Sequence, residues 1–129
     1  MASTPSFPST PRSYFQTIST GNTNRTITGV TGLTSLYAAG ASGSKIDQIT
    51  IRATSTTTTG VIRLFMYSGS GNATLYDEIL VSSLTPSATD AAFNVTKSYN
   101  NFLIPSGYTV YVSTHNSETF AVHATGGDF

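Results

Sequence analysis

The sequence predicts an all-β protein: an antiparallel β-sandwich or jelly-roll-like domain preceded by an extended N-terminal arm. Three observations lead there. From about residue 26 the apolar residues recur with period two, in short runs separated by Gly, Pro, Asn and Ser turn signals. No window carries helical apolar spacing with caps. Small hydroxyls also dominate, with 23 Thr and 18 Ser among 129 residues. Thr suits a pleated surface through its branched Cβ, and its hydroxyl keeps an outer face wet without charge.

The elements follow in chain order. Residues 1–25 carry Pro5, Pro8 and Pro11 at intervals of three among Ser and Thr, the period of a polyproline II helix. Each proline also pushes its predecessor out of the helical region. This segment is expected to be an extended arm, held by a neighbouring subunit because it has too little apolar surface to order itself. Phe7, Tyr14 and Phe15 are its large apolar side chains and the expected interface anchors. Residues 26–129 form the single sandwich domain. Within it, residues 48–53 place Ile49, Ile51 and Ala53 on one face, and Ile46 falls out of phase, which predicts a bulge or an earlier strand start near Asp47. Residues 61–67 carry bulk on both faces, Ile62, Leu64 and Met66 against Val61, Arg63, Phe65 and Tyr67, so this strand is expected to be covered on both sides. Further strands are expected over 75–81, 108–114 and 119–125. Thr56 to Gly60, Ser68 to Asn72, Thr85-Pro86-Ser87, Pro105-Ser106-Gly107 and His115-Asn116-Ser117 supply the turns.

Composition removes several function classes. Six basic residues balance six acidic ones, and charged residues are 9 % of the chain, against about 25 % in an average domain. Such a chain has no field with which to draw in nucleic acid or an anionic membrane, and neither is expected as a partner. The absence of Cys removes disulfides, thiolate catalysis and Cys-based zinc sites. Apolar runs such as Leu64-Phe65-Met66-Tyr67 fall far below the roughly 20 residues of a membrane-spanning helix. The opening Met-Ala-Ser-Thr-Pro has neither the basic nor the apolar part of a signal peptide.

Each chemical constellation has a plainer structural reading. His115, Glu118, His123 and Asp128 contain metal-ligating types, but His115 falls in a turn and His123 on the face opposite Phe120 and Val122, so convergence on one ion is not expected. Asp77 and Glu78 are adjacent on a strand and therefore point to opposite faces, which rules them out as a catalytic acid pair. Ser, His and Asp occur without a G-x-S-x-G elbow. No catalytic residue, metal or cofactor is expected. Gly126-Gly127-Asp128-Phe129 shares letters with a nucleotide-cyclase hairpin but lacks the accompanying βα pattern; it reads as a flexible glycine pair that lets Phe129 tuck into an apolar groove. The sequons at Asn24, Asn72 and Asn94 are about what seven Asn in so Ser/Thr-rich a chain give by chance. Arg63, Phe65 and Tyr67 share a face and read as a covered sheet face or subunit contact ahead of a stacking platform.

From Gly43 onwards the chain resembles small virion proteins of tailed bacteriophages. The likeness is carried by Gly43-Ser44-Lys45-Ile46-Asp47, by Thr56 to Thr59 followed by Gly60-Val61-Ile62-Arg63-Leu64-Phe65, by Pro105-Ser106-Gly107-Tyr108, by Ser113 to Phe120 and by Gly126-Gly127-Asp128. It covers about two-thirds of the chain and transfers no functional residues. The resemblance implies a non-enzymatic structural role, that of a capsid decoration (cement) protein on the outer surface of the virion, made in the bacterial cytoplasm. Its implied partners are the major capsid protein and further copies of itself, with a trimer favoured. The alternative expectation is a tail- or fibre-associated module that binds a host surface glycan through Tyr67, Tyr76 or Tyr99. The scarcity of Lys and Glu points the same way as the likeness, because sheet edges without charged gatekeepers pair readily with other chains.

Overall fold

A computed structural model describes residues 8–129. Its eight strands are β1 (Thr10–Ile18), β2 (Thr34–Ala38), β3 (Ser44–Ala53), β4 (Gly60–Tyr67), β5 (Thr74–Val81), β6 (Asn94–Ile104), β7 (Thr109–Thr114) and β8 (Phe120–Asp128). They form two antiparallel four-stranded sheets packed as a sandwich, β1-β8-β3-β6 (sheet A) on β2-β7-β4-β5 (sheet B).

Alternation along the strands builds the core between the sheets. Sheet A turns Ile46, Ile49, Ile51, Phe102, Phe120 and Val122 inward, and sheet B meets them with Tyr37, Ile62, Leu64, Val110 and Val112, all fully buried. Burial on this scale is the main favourable term in folding. Of the bulge or earlier strand start expected near Asp47, both occur: β3 begins at Ser44, and its register shifts between Ile46 and Gln48 against both β6 and β8. One extra residue there brings Ile46 and Ile49 onto the same inner face, which a regular alternation would not.

The N-terminal arm is corrected by the structure. Residues 10–18 are the edge strand β1, paired with β8 at nine successive positions from Thr10↔Asp128 to Ile18↔Phe120. The sandwich therefore does not begin at residue 26. The prolines misled because an edge strand tolerates them: Pro11 lacks a donor, and on an edge one side of the ladder is not called upon. Phe7 lies outside the described residues. The expected flexibility of Gly126-Gly127 is corrected too, since both sit inside β8, the strand between β1 and β3. A Cβ at Gly126 would overlap the Lys45 carbonyl oxygen, and one at Gly127 would collide with Pro8. Close approach of neighbouring backbone, not mobility, requires glycine at both places. Phe129 does line an apolar crevice with Leu103, Ile104 and Pro105, and its amide donates to the Gly43 carbonyl at 3.1 Å.

Residues 19–33 leave β1, cross to sheet B and lie over its outer face. Asn22 N–H donates to the Thr114 carbonyl at 2.8 Å, extending the sheet beyond β2. The segment then drops Ile27 onto Phe65 and Ala73, flanked by Val30, Leu33, Tyr67, Leu75 and Tyr111. Gly29, at φ 61°, exchanges hydrogen bonds with the turn before β5: its amide donates to Asn72 Oδ1 and its carbonyl accepts from Ala73, each at 2.8 Å. A compact loop whose own side chains pack it down in this way is an Ω-loop. It explains why β4 carries bulk on both faces.

Candidate functional site

Arg63 is the largest fully buried side chain, 1 % exposed in the middle of β4. A buried cation needs charge and hydrogen-bond partners together. Its Nε donates to Glu78 Oε2 on neighbouring β5 at 2.9 Å, and Nη1 donates to the Asn22 carbonyl at 3.3 Å and faces His115 Nδ1 at 3.2 Å. Arg25 reaches the same Glu78 oxygen from the Ω-loop at 2.7 Å. Partial burial works against the charge of Glu78, but the two guanidinium groups outweigh it and hold its carboxyl below the ordinary value. The cluster ties the loop to β4, β5 and the β7–β8 turn.

Asp77 points the opposite way from Glu78, as adjacent strand residues must. It accepts from Lys97 Nζ and from Tyr99 Oη, the latter at 2.8 Å, both on β6 across the open side of the sandwich. Burial opposes its ionisation, yet Lys97, Tyr99 and the Glu78 amide together keep its carboxyl low. The Tyr99 hydroxyl is pushed up by burial and then by the facing carboxylate. Beside this group Tyr76 stacks on Phe102 with ring centroids 4.0 Å apart. At the opposite corner Asp128 accepts from Ser44 Oγ, from Arg12 Nε at 2.8 Å and from Tyr37 Oη at 3.3 Å. The Ser44 hydrogen bond, followed by the Arg12 guanidinium, lowers its carboxyl. Each of these groups is a brace between elements.

The metal-ligating types do not meet. His115 abuts Arg63, Glu118 accepts from the Thr58 amide and hydroxyl at 2.9 and 2.8 Å, and His123 lies on the outer face of sheet A against Ser13. Among the described residues no three His, Cys, Asp or Glu side chains form a group able to hold an ion. Arg63, Phe65 and Tyr67 do share a face, and it is covered, by the chain's own Ω-loop.

The two broad faces of the sandwich therefore differ. That of sheet B is roofed by residues 19–33. Among the described residues nothing covers that of sheet A, whose cross-strand rows read Pro11–Gly127–Lys45–Leu103, Ser13–Thr125–Gln48–Ser98, Phe15–His123–Thr50–Thr96 and Thr17–Ala121–Arg52–Asn94. Arg52 and Lys45 are the charges in these rows, and Lys45 is paired with Asp47 at the bulge, 3.5 Å away. Phe15 stands at their rim, 75 % exposed and edge-on to the His123 ring at 5.8 Å. Of the expected anchors, Tyr14 and Phe15 are thus separated. Tyr14 points inward and packs edge-on against Tyr37 at 4.6 Å, where it helps close the sandwich between β1 and β2. Tyr14 is used within its own fold. Of the glycan candidates, Tyr67 packs edge-on against Tyr111 and Tyr99 donates to Asp77, while Tyr76 stacks on Phe102 by one face and leaves the rest of its ring exposed.

Fold and surface together define a β-sandwich with one covered and one open face. Compared with protein-family models, curated proteins and solved structures, the chain matches none of them.

Proposed function

We propose that this protein is a structural, non-enzymatic component of a virion, a decoration protein that sits on the outer surface of a shell of major capsid protein and stabilises it. The likeness from Gly43 onwards suggests the class. The observation that carries the reading is the open outer face of sheet A, broad and rich in hydroxyls and amides with few charges, and with Phe15 exposed at its rim. Hydroxyls and amides on such a face pair with another protein's polar groups without the cost of burying ions. An exposed aromatic supplies the apolar anchor typical of interface centres. Repetition over a shell multiplies contacts that are individually modest. An arm laid across neighbouring subunits is no part of this mechanism, because residues 10–18 belong to the protein's own sheet.

The test is occupancy on the particle. Phe15→Lys combined with Gln48→Lys places two charges at exposed positions of the open face, and co-sedimentation with shells should weaken by about tenfold or more, the equivalent of roughly 1.4 kcal/mol. Unchanged occupancy, or images of the particle that place the chain on the tail, would overturn the proposal.

A further inference from the structure

The four sheet edges are not equally protected. β1 carries Pro11 and Arg12, β2 is five residues long with a bulge between Ser35 and Tyr37, and β5 is irregular at Tyr76. On β5 the Glu78 amide is also taken by Asp77 Oδ1 at 2.8 Å, and two carboxylates flank it. These are the usual devices that stop a strand from recruiting another chain. β6 lacks them over Asn94–Ser98, the straight run before its register shift. Its one charge there, Lys97, is drawn to Asp77 and neutralised. Among the described residues no strand pairs with its far side.

The hydrogen-bond phase of that run is fixed. The Ala53 amide donates to the Phe93 carbonyl at 2.8 Å, so Phe93, and with it Val95 and Lys97, direct their backbone groups to β3. Alternation then turns the amides and carbonyls of Asn94, Thr96 and Ser98 outward. Exposed apolar side chains stand on the two strands at this end of the sheets, Leu80 facing out from sheet B and Leu103 from sheet A. Tyr76 and Leu80 on β5 and Leu103 on β6 are 44 %, 66 % and 51 % exposed.

We propose that β6 is a self-association edge, at which a second copy of this chain adds its own β6 antiparallel and joins the two A sheets into one of eight strands. A second copy fits because the edge is complementary to itself. Centred on Thr96, the pairing sets Thr96 opposite Thr96 of the partner subunit and Asn94 opposite Ser98 of the partner subunit, uncharged pairs able to hydrogen-bond across the strands. With Lys97 neutralised, no like charges oppose one another. The arrangement is isologous and closes at two copies, giving a dimer in place of the trimer that the resemblance favours. Backbone pairing alone buries less than the roughly 1,600 Å² of a standard interface, and Tyr76, stacked on Phe102 at the β5–β6 side and 44 % exposed, is the nearest side chain able to add apolar area. The inference does not depend on what the protein coats.

The experiment is sedimentation equilibrium across a dilution series, paired with hydrogen exchange of the 94–98 amides. Wild type should dimerise, and the Thr96 amide should gain protection as concentration rises. Thr96→Pro removes an outward donor that the monomer does not use, so the melting transition of the dilute protein should survive while self-association weakens about tenfold or more. Thr96→Lys, at an exposed position, brings like charges together at the centre and should do the same with the backbone donor intact. A monomer at every concentration, a trimer, or a dimer indifferent to both substitutions overturns the proposal.

Discussion

Arg63 stands among Val61, Ile62, Leu64 and Phe65, and its survival in that company depends on Glu78. Removing one partner of a buried pair is worse than never having had the pair, because the remaining charge stays dehydrated. Glu78→Gln should therefore lower the melting temperature much more than Arg25→Gln, whose guanidinium is largely exposed; comparable losses would mean that Arg63 finds its counter-charge elsewhere. Asp77, Glu78 and Asp128 all hold their carboxyls below ordinary values. A depressed folded-state value gives stability that is present above the unfolded-state range and lost as pH falls through the folded one. Thermal stability should be level from neutrality to about pH 5 and fall below about pH 4, and Asp77→Asn should flatten part of that decline. Gly126→Ala tests the closest backbone approach in the sheet. Its methyl group would enter the Lys45 carbonyl, and a loss of about 3 kcal/mol in urea unfolding is expected.

At the scale of elements, the strands legible in the sequence are those whose alternation runs without interruption: β3, β4, β5, β7 and β8. Even the bulge at Asp47 could be read, because Ile46 is an apolar residue on the wrong beat. The strands that escaped each have a physical reason. β1 hides behind prolines that an edge position tolerates, β2 is short and itself bulged, and β6 loses its phase between Tyr99 and Phe102. Coverage of β4 on both faces was written in its residues, but nothing local says that the cover is the chain's own 19–33 segment. Ile27 is the plug of that loop and is buried with Phe65. Ile27→Ala should cost about 3 kcal/mol and raise hydrogen exchange throughout the loop, while leaving sheet A protected. Deleting the chain through Ile18 should remove much more than an appendage. It strips β8 of one neighbour and uncovers the core near Tyr37, and circular dichroism of that fragment should show loss of the cooperative fold. A fragment with wild-type melting would mean that β1 is an accessory to the sheet.

For the whole molecule, the candidate surface was only partly legible. Phe15 was recognisable as a large apolar side chain in a polar stretch, whereas Tyr14 next to it looked equivalent until the strand turned the two to opposite faces. The open face could not be read at all, since its rows draw on β1, β8, β3 and β6, segments as far apart in the chain as Ser13 and His123, which lie 110 residues apart. That same arrangement has a bearing on how the protein folds. β8 lies between β1 and β3, so β1 waits for a strand about a hundred residues later in the chain before it gains a neighbour in the sheet. Pairings of such long sequence separation fold slowly, on a millisecond-to-second scale, and stopped-flow refolding should show it. Until β8 docks, β3 keeps an uncovered side in a chain poor in charged gatekeepers, and the partly folded protein that lacks β8 is the species most prone to aggregate.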